Sequence, residues 1–440
     1  MTSRRIAGPV TLVAALALAA LAPSGIAGAV GPLPLPQTSS AQAAATWLAG
    51  QVVPGGYIAS TVNPGTADLE ATANTVLALA SAGVGAAQAA AALSYLEGHV
   101  AAYVTVAGAD GPGQLALLIL DAHAQGVAPT NFGGTDLVAR LVATQRSGGA
   151  DSGLFGAQDP TYDGAYRQGL ALAALAAAGV TSGSVVTGAT GWLTAQQCPN
   201  GGWTSYITVG NPCNGKPANY AGPDTNSTAL AVEGLAAQGA LSPTGAAAAL
   251  RFFKKAENAD GGFGYEPNTV KSPGSTDPNS TALVIQALLA LGAAPSSSTY
   301  AKGGGGPVAS LVANQVTGGA GDGGISFPGI SGVNLLATYQ AIPALAGVTF
   351  AYNVGVPLVT HVGPSHGPTS GGTTVHIVGS SFAMATSVRF GTTPAASMIV
   401  VSGSKITAVA PPGVLGIVDV TVTSAAGTSV VGSADRFGYR

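Results

Sequence analysis

Asp224-Thr225-Asn226-Ser227-Thr228-Ala229-Leu230 and Asp277-Pro278-Asn279-Ser280-Thr281-Ala282-Leu283 are two copies of one string. Each opens an Ala/Leu-rich stretch that ends on a glycine, Gly239 in the first copy and Gly292 in the second. An Asp ahead of a Ser/Thr-bearing apolar run is a helix start signal, and a terminal Gly can adopt the left-handed C-cap conformation. The same frame recurs as Asp68–Gly83 and Asp163–Gly179, and in weaker form as Gly111–Gly126 and Gly332–Gly347. The six terminal glycines are spaced by 43, 53, 60, 53 and 55 residues, which reads as six repeated units.

A second helix and a Gly-rich turn lie between successive copies. Examples are Trp47-Leu48…Gln51…Gly55-Gly56-Tyr57, Leu137…Gln145…Gly153-Leu154-Phe155 and Trp192-Leu193…Gln197…Gly201-Gly202-Trp203. Leu250…Glu257…Gly261-Gly262-Phe263 and Leu311…Gln315…Gly323-Gly324-Ile325-Ser326-Phe327 continue the series. Six such helix pairs can close into a ring whose inner helices are apolar on nearly every face. That arrangement accounts for the composition. Charged residues make up only 8% of the 440-residue chain, against about 25% in an average soluble protein. With 47% hydrophobic residues and a net charge of −3 the chain is not disordered by self-repulsion, and 15 Lys and Arg are too few for a nucleic-acid binder.

These turns and strings resemble the α/α-toroid repeats shared by squalene and terpene cyclases, protein prenyltransferases and cobalamin carriers. The resemblance spans about 310 residues and implies a toroid over 40–350. It further implies that Gln51, Gln145, Gln197 and Gln315 brace helix ends, while the rings of Tyr57, Phe155, Trp203 and Phe327 stack on neighbouring backbone. After Tyr352 the periodicity changes to two, as in Thr374-Val375-His376-Ile377-Val378 and Val418-Asp419-Val420-Thr421-Val422. Val362-Gly363-Pro364, Gly371-Gly372-Thr373, Phe390-Gly391 and Ala410-Pro411-Pro412 resemble the IPT/TIG immunoglobulin-like domain. The expected fold class is therefore an all-α (α/α)6 toroid followed by a small all-β sandwich over 357–440, with 351–356 as linker.

Arg4-Arg5, the uncharged run Val10–Leu21 and Ala27-Gly28-Ala29 have the three parts of a secretory signal over 1–29, with 30–39 as a linker. Export of a soluble protein is expected, with no integral membrane segment after cleavage. The Ala-, Gly- and Val-heavy usage suggests a GC-rich bacterial source. Cys198 and Cys213 sit in one Gly/Pro/Asn-rich loop, and in an oxidising compartment they are expected to pair. A zinc site would need further ligands, and the five histidines are distant. No metal or cofactor is expected.

Parallel inner helices would gather Asp68, Asp163, Asp224 and Asp277 at one end of the ring, with Glu70, Asn226 and Asn279 beside them. Glu233 and Gln286 fall at equivalent positions deeper in the helices, and Arg167 follows Tyr166 near the start of its own. These ten are the ligand-binding candidates. Each Asp has a second role open to it as an N-cap, and Glu233 and Gln286 can equally bond a neighbouring helix. Enzyme mechanisms find little here. There is no Asp-x-Asp-Asp string for class II cyclisation and no Asp-Asp-x-x-Asp to hold a magnesium diphosphate. The amide of Asn226 or Asn279 cannot serve as a general acid. No catalytic residue is assigned. The expected function is binding of a small hydrophobic or mixed-polarity ligand in the ring, or of a cell-surface partner through the Ig-like domain. A cyclase-like enzyme with divergent acids and a purely structural surface protein are the alternatives.

Overall fold

The computed structural model describes residues 35–156, 164–205, 213, 222–267, 275–302, 305–350, 357–380, 382, 385–402, 405–424, 427–429 and 431–440. The expected signal peptide, Asp163 and the 351–356 segment lie outside them.

Six helices form an inner ring: α2 (Leu69–Ala82), α5 (Pro112–Ala124), α7 (Ala165–Ala177), α9 (Thr225–Ala237), α11 (Pro278–Ala290) and α13 (Leu335–Ala346). Six alternate with them outside: α1 (Leu35–Ala49), α3 (Ala86–Glu97), α6 (Leu137–Ala143), α8 (Ser184–Ala195), α10 (Pro243–Ala256) and α12 (Gly306–Val312). One short helix, α4 (Val100–Val104), precedes α5. Each inner helix packs on the next, and α13 packs on both α11 and α2, so the ring is closed. Inner helices are buried nearly all round, as the unbroken buried run Leu115–Ala122 shows, whereas α10 buries only a stripe through Ala249, Phe252, Phe253 and Ala256. The six terminal glycines all take positive φ, from 63° to 79°, at the ends of the inner helices.

The repeated string works through its Asp and its Thr. Asp224 and Asp277 accept the N–H groups of Ser227 and Ser280, both at 2.7 Å, and so cap α9 and α11. Thr228 and Thr281, four residues after each cap, donate to the cap carbonyl and accept the N–H of the preceding turn, from Trp203 at 2.9 Å and Phe263 at 3.0 Å. Thr72 takes the N–H of Ile58, and Thr338 that of Ile325, in the same way. The buried turn position is therefore Ile58, Phe155, Trp203, Phe263 and Ile325. Tyr57 and Phe327 are half-buried beside this position, which Ile58 and Ile325 occupy, and the Tyr57 ring lies against the backbone of Gly55, its Cε1 2.6 Å from where a Cβ there would sit. Among the described residues no side chain caps the other two inner helices. α5 starts on Gly111 and α7 on Gly164, and in α7 the carboxamide of Gln168 replaces Thr as the acceptor for the Phe155 N–H.

The glutamines join one repeat to the next. Gln145 Nε2 donates to Gly153 O in its own turn and to Val185 O at the start of α8. Gln197 does the same between Gly201 and Gly245 of α10, and Gln315 between Gly323 and Ser40 of α1, which closes the circle. In the fifth unit Glu257 has this place, its Oε1 accepting the Lys302 N–H ahead of α12. Gln51 departs from the pattern and bonds Trp47 O of its own helix.

Beyond the ring, ten strands form two sheets. β5 (Leu358–Gly363), β7 (Thr374–Ser380), β10 (Ser397–Ser402) and β11 (Lys405–Val409) pair in the order β10-β11-β7-β5. The second sheet runs β6-β14-β12-β8-β9, with β13 also on β12. Its strands are β6 (His366–Gly367), β8 (Ala385–Phe390), β9 (Thr393–Pro394), β12 (Gly416–Ser424), β13 (Gly427–Thr428) and β14 (Arg436–Tyr439). Val375, Ile377 and Ile406 of one sheet and Phe390, Val420 and Phe437 of the other share one core. The four short strands of the ring, β1 (Ile58–Ala59), β2 (Ala67–Asp68), β3 (Thr105–Val106) and β4 (Ala109–Asp110), form two hairpins. Cys198 and Cys213 form a disulfide, Cα–Cα 5.4 Å, across 15 residues. Such a loop closure stabilises by about 3 kcal/mol in the chain-entropy model. Among the described residues no helix is long and apolar enough to cross a membrane.

Ring closure gives a direct test. A Cβ at Gly323 would sit 2.4 Å from Ala43 O of α1, in a backbone at φ 89°, whereas Gly134 has φ 79° with open space around it. Gly134→Ala is expected to cost only the left-handed penalty, about 1–2 kcal/mol. Gly323→Ala adds a backbone collision and should cost about 3 kcal/mol or more, read as the larger loss of urea midpoint.

Candidate functional site

Because inner helices are parallel, all six N-termini meet at one end of the ring, and a cavity of about 480 Å³ opens there. α2 contributes Glu70 and Asn74, α5 contributes Gly113, Gln114 and Leu117, and α7 contributes Tyr166, Arg167 and Leu170. Leu230 of α9 and Leu336, Tyr339 and Gln340 of α13 complete the wall with Phe350. On α5 and α7 polarity is layered by helical spacing, with Gln114 and Arg167 in the first turn and Leu117 and Leu170 below them, while α2 and α13 bring Asn74, Tyr339 and Gln340 to the same depth.

Glu70 is held in place. Its Oε2 accepts the Tyr103 hydroxyl of α4 at 2.7 Å, and its Oε1 accepts Asn74 Nδ2 at 3.1 Å. Burial, and then the charge of Glu70, push the Tyr103 phenol well above its usual value. Burial likewise raises Tyr166 to about 12. Both phenols therefore stay protonated at any physiological pH, and Tyr103 keeps its proton for Glu70. Arg167 runs along α5, its Cγ 3.6 Å from where a Gly113 side chain would begin. Gln114 Oε1 is buried on this wall with no hydrogen-bond partner.

The remaining candidates are placed as follows. Asp68, Asp224 and Asp277 are N-caps, each with one oxygen on a backbone N–H, and none lines the cavity. Asn226 accepts from the Thr225 hydroxyl at 3.3 Å, and Asn279 Nδ2 donates to Gln340 Oε1 at 2.8 Å, which positions that lining residue. Glu233 lies a turn below Leu230 and accepts the backbone N–H of Phe350 at 2.9 Å, so the chain after α13 folds back to the inner ring and Phe350 meets the cavity. Gln286 is fully buried, with neither amide atom bonded. The structure adds residues that the repeat pattern could not reveal. Tyr103 and Phe350 come from outside the repeated frame, and Asp121 of α5 is fully buried with both oxygens unpartnered. Among the described residues no three His, Cys, Asp or Glu side chains group as a metal site.

Residues 357–439 match the family model of the IPT/TIG domain, and the β region is such a domain. No curated protein matches the chain. Solved structures also align with the chain. An inactive variant of an alpha-1,6-mannanase of Salegentibacter, in complex with alpha-1,6-mannotriose, aligns at TM-score 0.50 and 12% identity over 71% of this chain and 98% of its own. A type II terpene cyclase from Scytonema aligns at TM-score 0.48 and 18% identity, over 71% and 98%. A protein from Actinoplanes aligns at 0.48 and 16%, over 71% and 99%. The helical region is an α/α toroid.

Buried carboxyls give the protein a definite pH response. Burial raises Glu233 to about 8 against the Phe350 hydrogen bond, raises Asp224 to about 7, and lifts Asp121 well above the usual range. Folded-state values above the unfolded ones mean that the native protein holds the extra protons, so stability falls as pH rises between them. Melting temperature is expected to be highest near pH 4–5 and to decline up to about pH 8. Glu233→Gln, which keeps an acceptor for Phe350, should flatten that decline; an unchanged slope would contradict the assignment.

Proposed function

We propose that this is an exported, non-catalytic binding protein whose ring mouth takes a small ligand of mixed polarity, with the IPT/TIG domain as a structural or adhesive module. The observation that carries this reading is the cavity itself. It joins polar side chains, Glu70, Asn74, Gln114 and Gln340, to an aliphatic stretch of Leu117, Leu170 and Leu230, and Phe350 is anchored beside it through Glu233. A pocket of about 300–1,000 Å³ with apolar walls and a few fixed polar groups suits a small molecule. The acids that a cyclase-like reading would recruit, Asp224 and Asp277, have their side chains committed to capping. Glu70 does line the cavity, but its oxygens accept from Tyr103 and Asn74. Export is supported by the signal-like start of the sequence and by the Cys198–Cys213 disulfide, which needs an oxidising compartment to persist.

A neutral apolar fluorophore, N-phenyl-1-naphthylamine, tests the cavity. The protein is expected to bind it with enhanced fluorescence, and Leu170→Trp, which fills the aliphatic turn, should weaken binding at least tenfold. Absence of binding, or binding indifferent to Leu170→Trp and Leu230→Trp alike, would contradict the proposal.

A further inference from the structure

The cavity stops partway down the ring. Asn74, Leu117, Leu170 and Leu230 are the deepest lining residues of α2, α5, α7 and α9, and each stands nine residues ahead of its terminal glycine. Nine helical residues span about 13 Å of axis that the cavity does not enter. All six inner helices end alike. The residue after each terminal glycine (Val84, Val127, Val180, Ala240, Ala293 and Val348) donates its N–H to the carbonyl five residues back. The sixth unit then departs from the rest. α1 already packs on both α13 and α2, so no outer helix has to follow α13. Val348 is 6% exposed and packs in the core of α5, α7, α9 and α11, whereas its five counterparts are only half-buried.

Two residues further on, Phe350 donates its N–H to Glu233 Oε2 at 2.9 Å. Glu233 stands three residues beyond Leu230, about 4.5 Å deeper along the helix. The Phe350 backbone therefore lies below the leucines, and Phe350 still lines the cavity. At the level of that bond the inner helices turn polar. Glu233 Oε1 and both amide atoms of Gln286, which holds the equivalent position on α11, are buried without a partner.

We infer that Phe350 is the floor of the cavity and sets the length of ligand body that the ring accepts, with Glu233 as the positioning residue that holds it there. The matching ligand has a polar end beside Glu70 and an aliphatic body that runs past the leucines and ends at Phe350. This inference rests on the ligand-binding reading of the cavity and adds a limit on length to it.

Straight-chain 1-alkanols from butanol to decanol test it, each titrated on the full chain against bound N-phenyl-1-naphthylamine. Every added methylene that finds room raises affinity about fourfold. The unaltered protein is expected to show that climb and then a plateau at one chain length. Phe350→Ala should carry the climb on by at least two methylenes, and the milder Phe350→Leu should move the limit the same way by less. Glu233→Leu, which removes the acceptor, should act as Phe350→Ala does, while Glu233→Gln, which keeps it, should leave the limit unmoved. A climb to decanol with no plateau in the unaltered protein overturns the inference, as does a plateau that both Phe350 variants leave in place. A plateau unmoved by Glu233→Leu removes the positioning role. In each case the fluorophore still binds and the cavity reading stands; if the fluorophore fails to bind, that reading falls and this one with it.

Discussion

The ring depends on a backbone-to-backbone contact made where each turn meets the next outer helix. A Cβ at Gly153 would fall 2.2 Å from Gly188 O, one at Gly201 2.1 Å from Ala248 O, and one at Gly323 2.4 Å from Ala43 O. A glutamine spans the same gap in each case, tying its own turn to the first residues of the next helix. The contact repeats in one direction around the chain, and its last instance joins α12 to α1. Closure follows from propagation of a local geometry, so the toroid needs no special closing segment. Inside, α7 and α9 approach as closely, since Gly169 and Gly234 each lie where a side chain would strike the opposite backbone.

The string that specifies the inner helices also decides where charge can appear. In four units a side chain caps the helix, and its Thr or an equivalent hydroxyl anchors the turn before it. That commitment turns Asp68, Asp224 and Asp277 toward backbone and away from the axis. Among the described residues α5 and α7 show no such cap, and they bring Gln114 and Arg167 to the cavity wall.

Much of this was legible in the sequence because it is periodic. The terminal glycines, the Asp caps, the Gln positions and the change to period two at the β domain each leave a recurring mark. The register of the turns was less legible. Tyr57 and Phe327 are aromatic and stand near the right place, yet the position whose N–H meets the Thr hydroxyl belongs to Ile58 and Ile325. An apolar side chain of either kind fills that space, so aromaticity alone could not locate it. Glu70 was legible as a candidate only by its distance from a terminal glycine, and Arg167 only by its place after Tyr166. Tyr103, which orients Glu70, and Phe350, which meets the cavity from beyond α13, sit outside the repeated frame and left no periodic signal.

The central claim is a closed ring that holds open a cavity at the N-terminal end of its inner helices. A crystal structure of the protein, refined far enough to order water and small molecules, measures it most directly. The account predicts an open cavity of about 480 Å³ bounded by Glu70, Leu117, Leu170, Leu230 and Phe350. A mouth filled by its own side chains would contradict it.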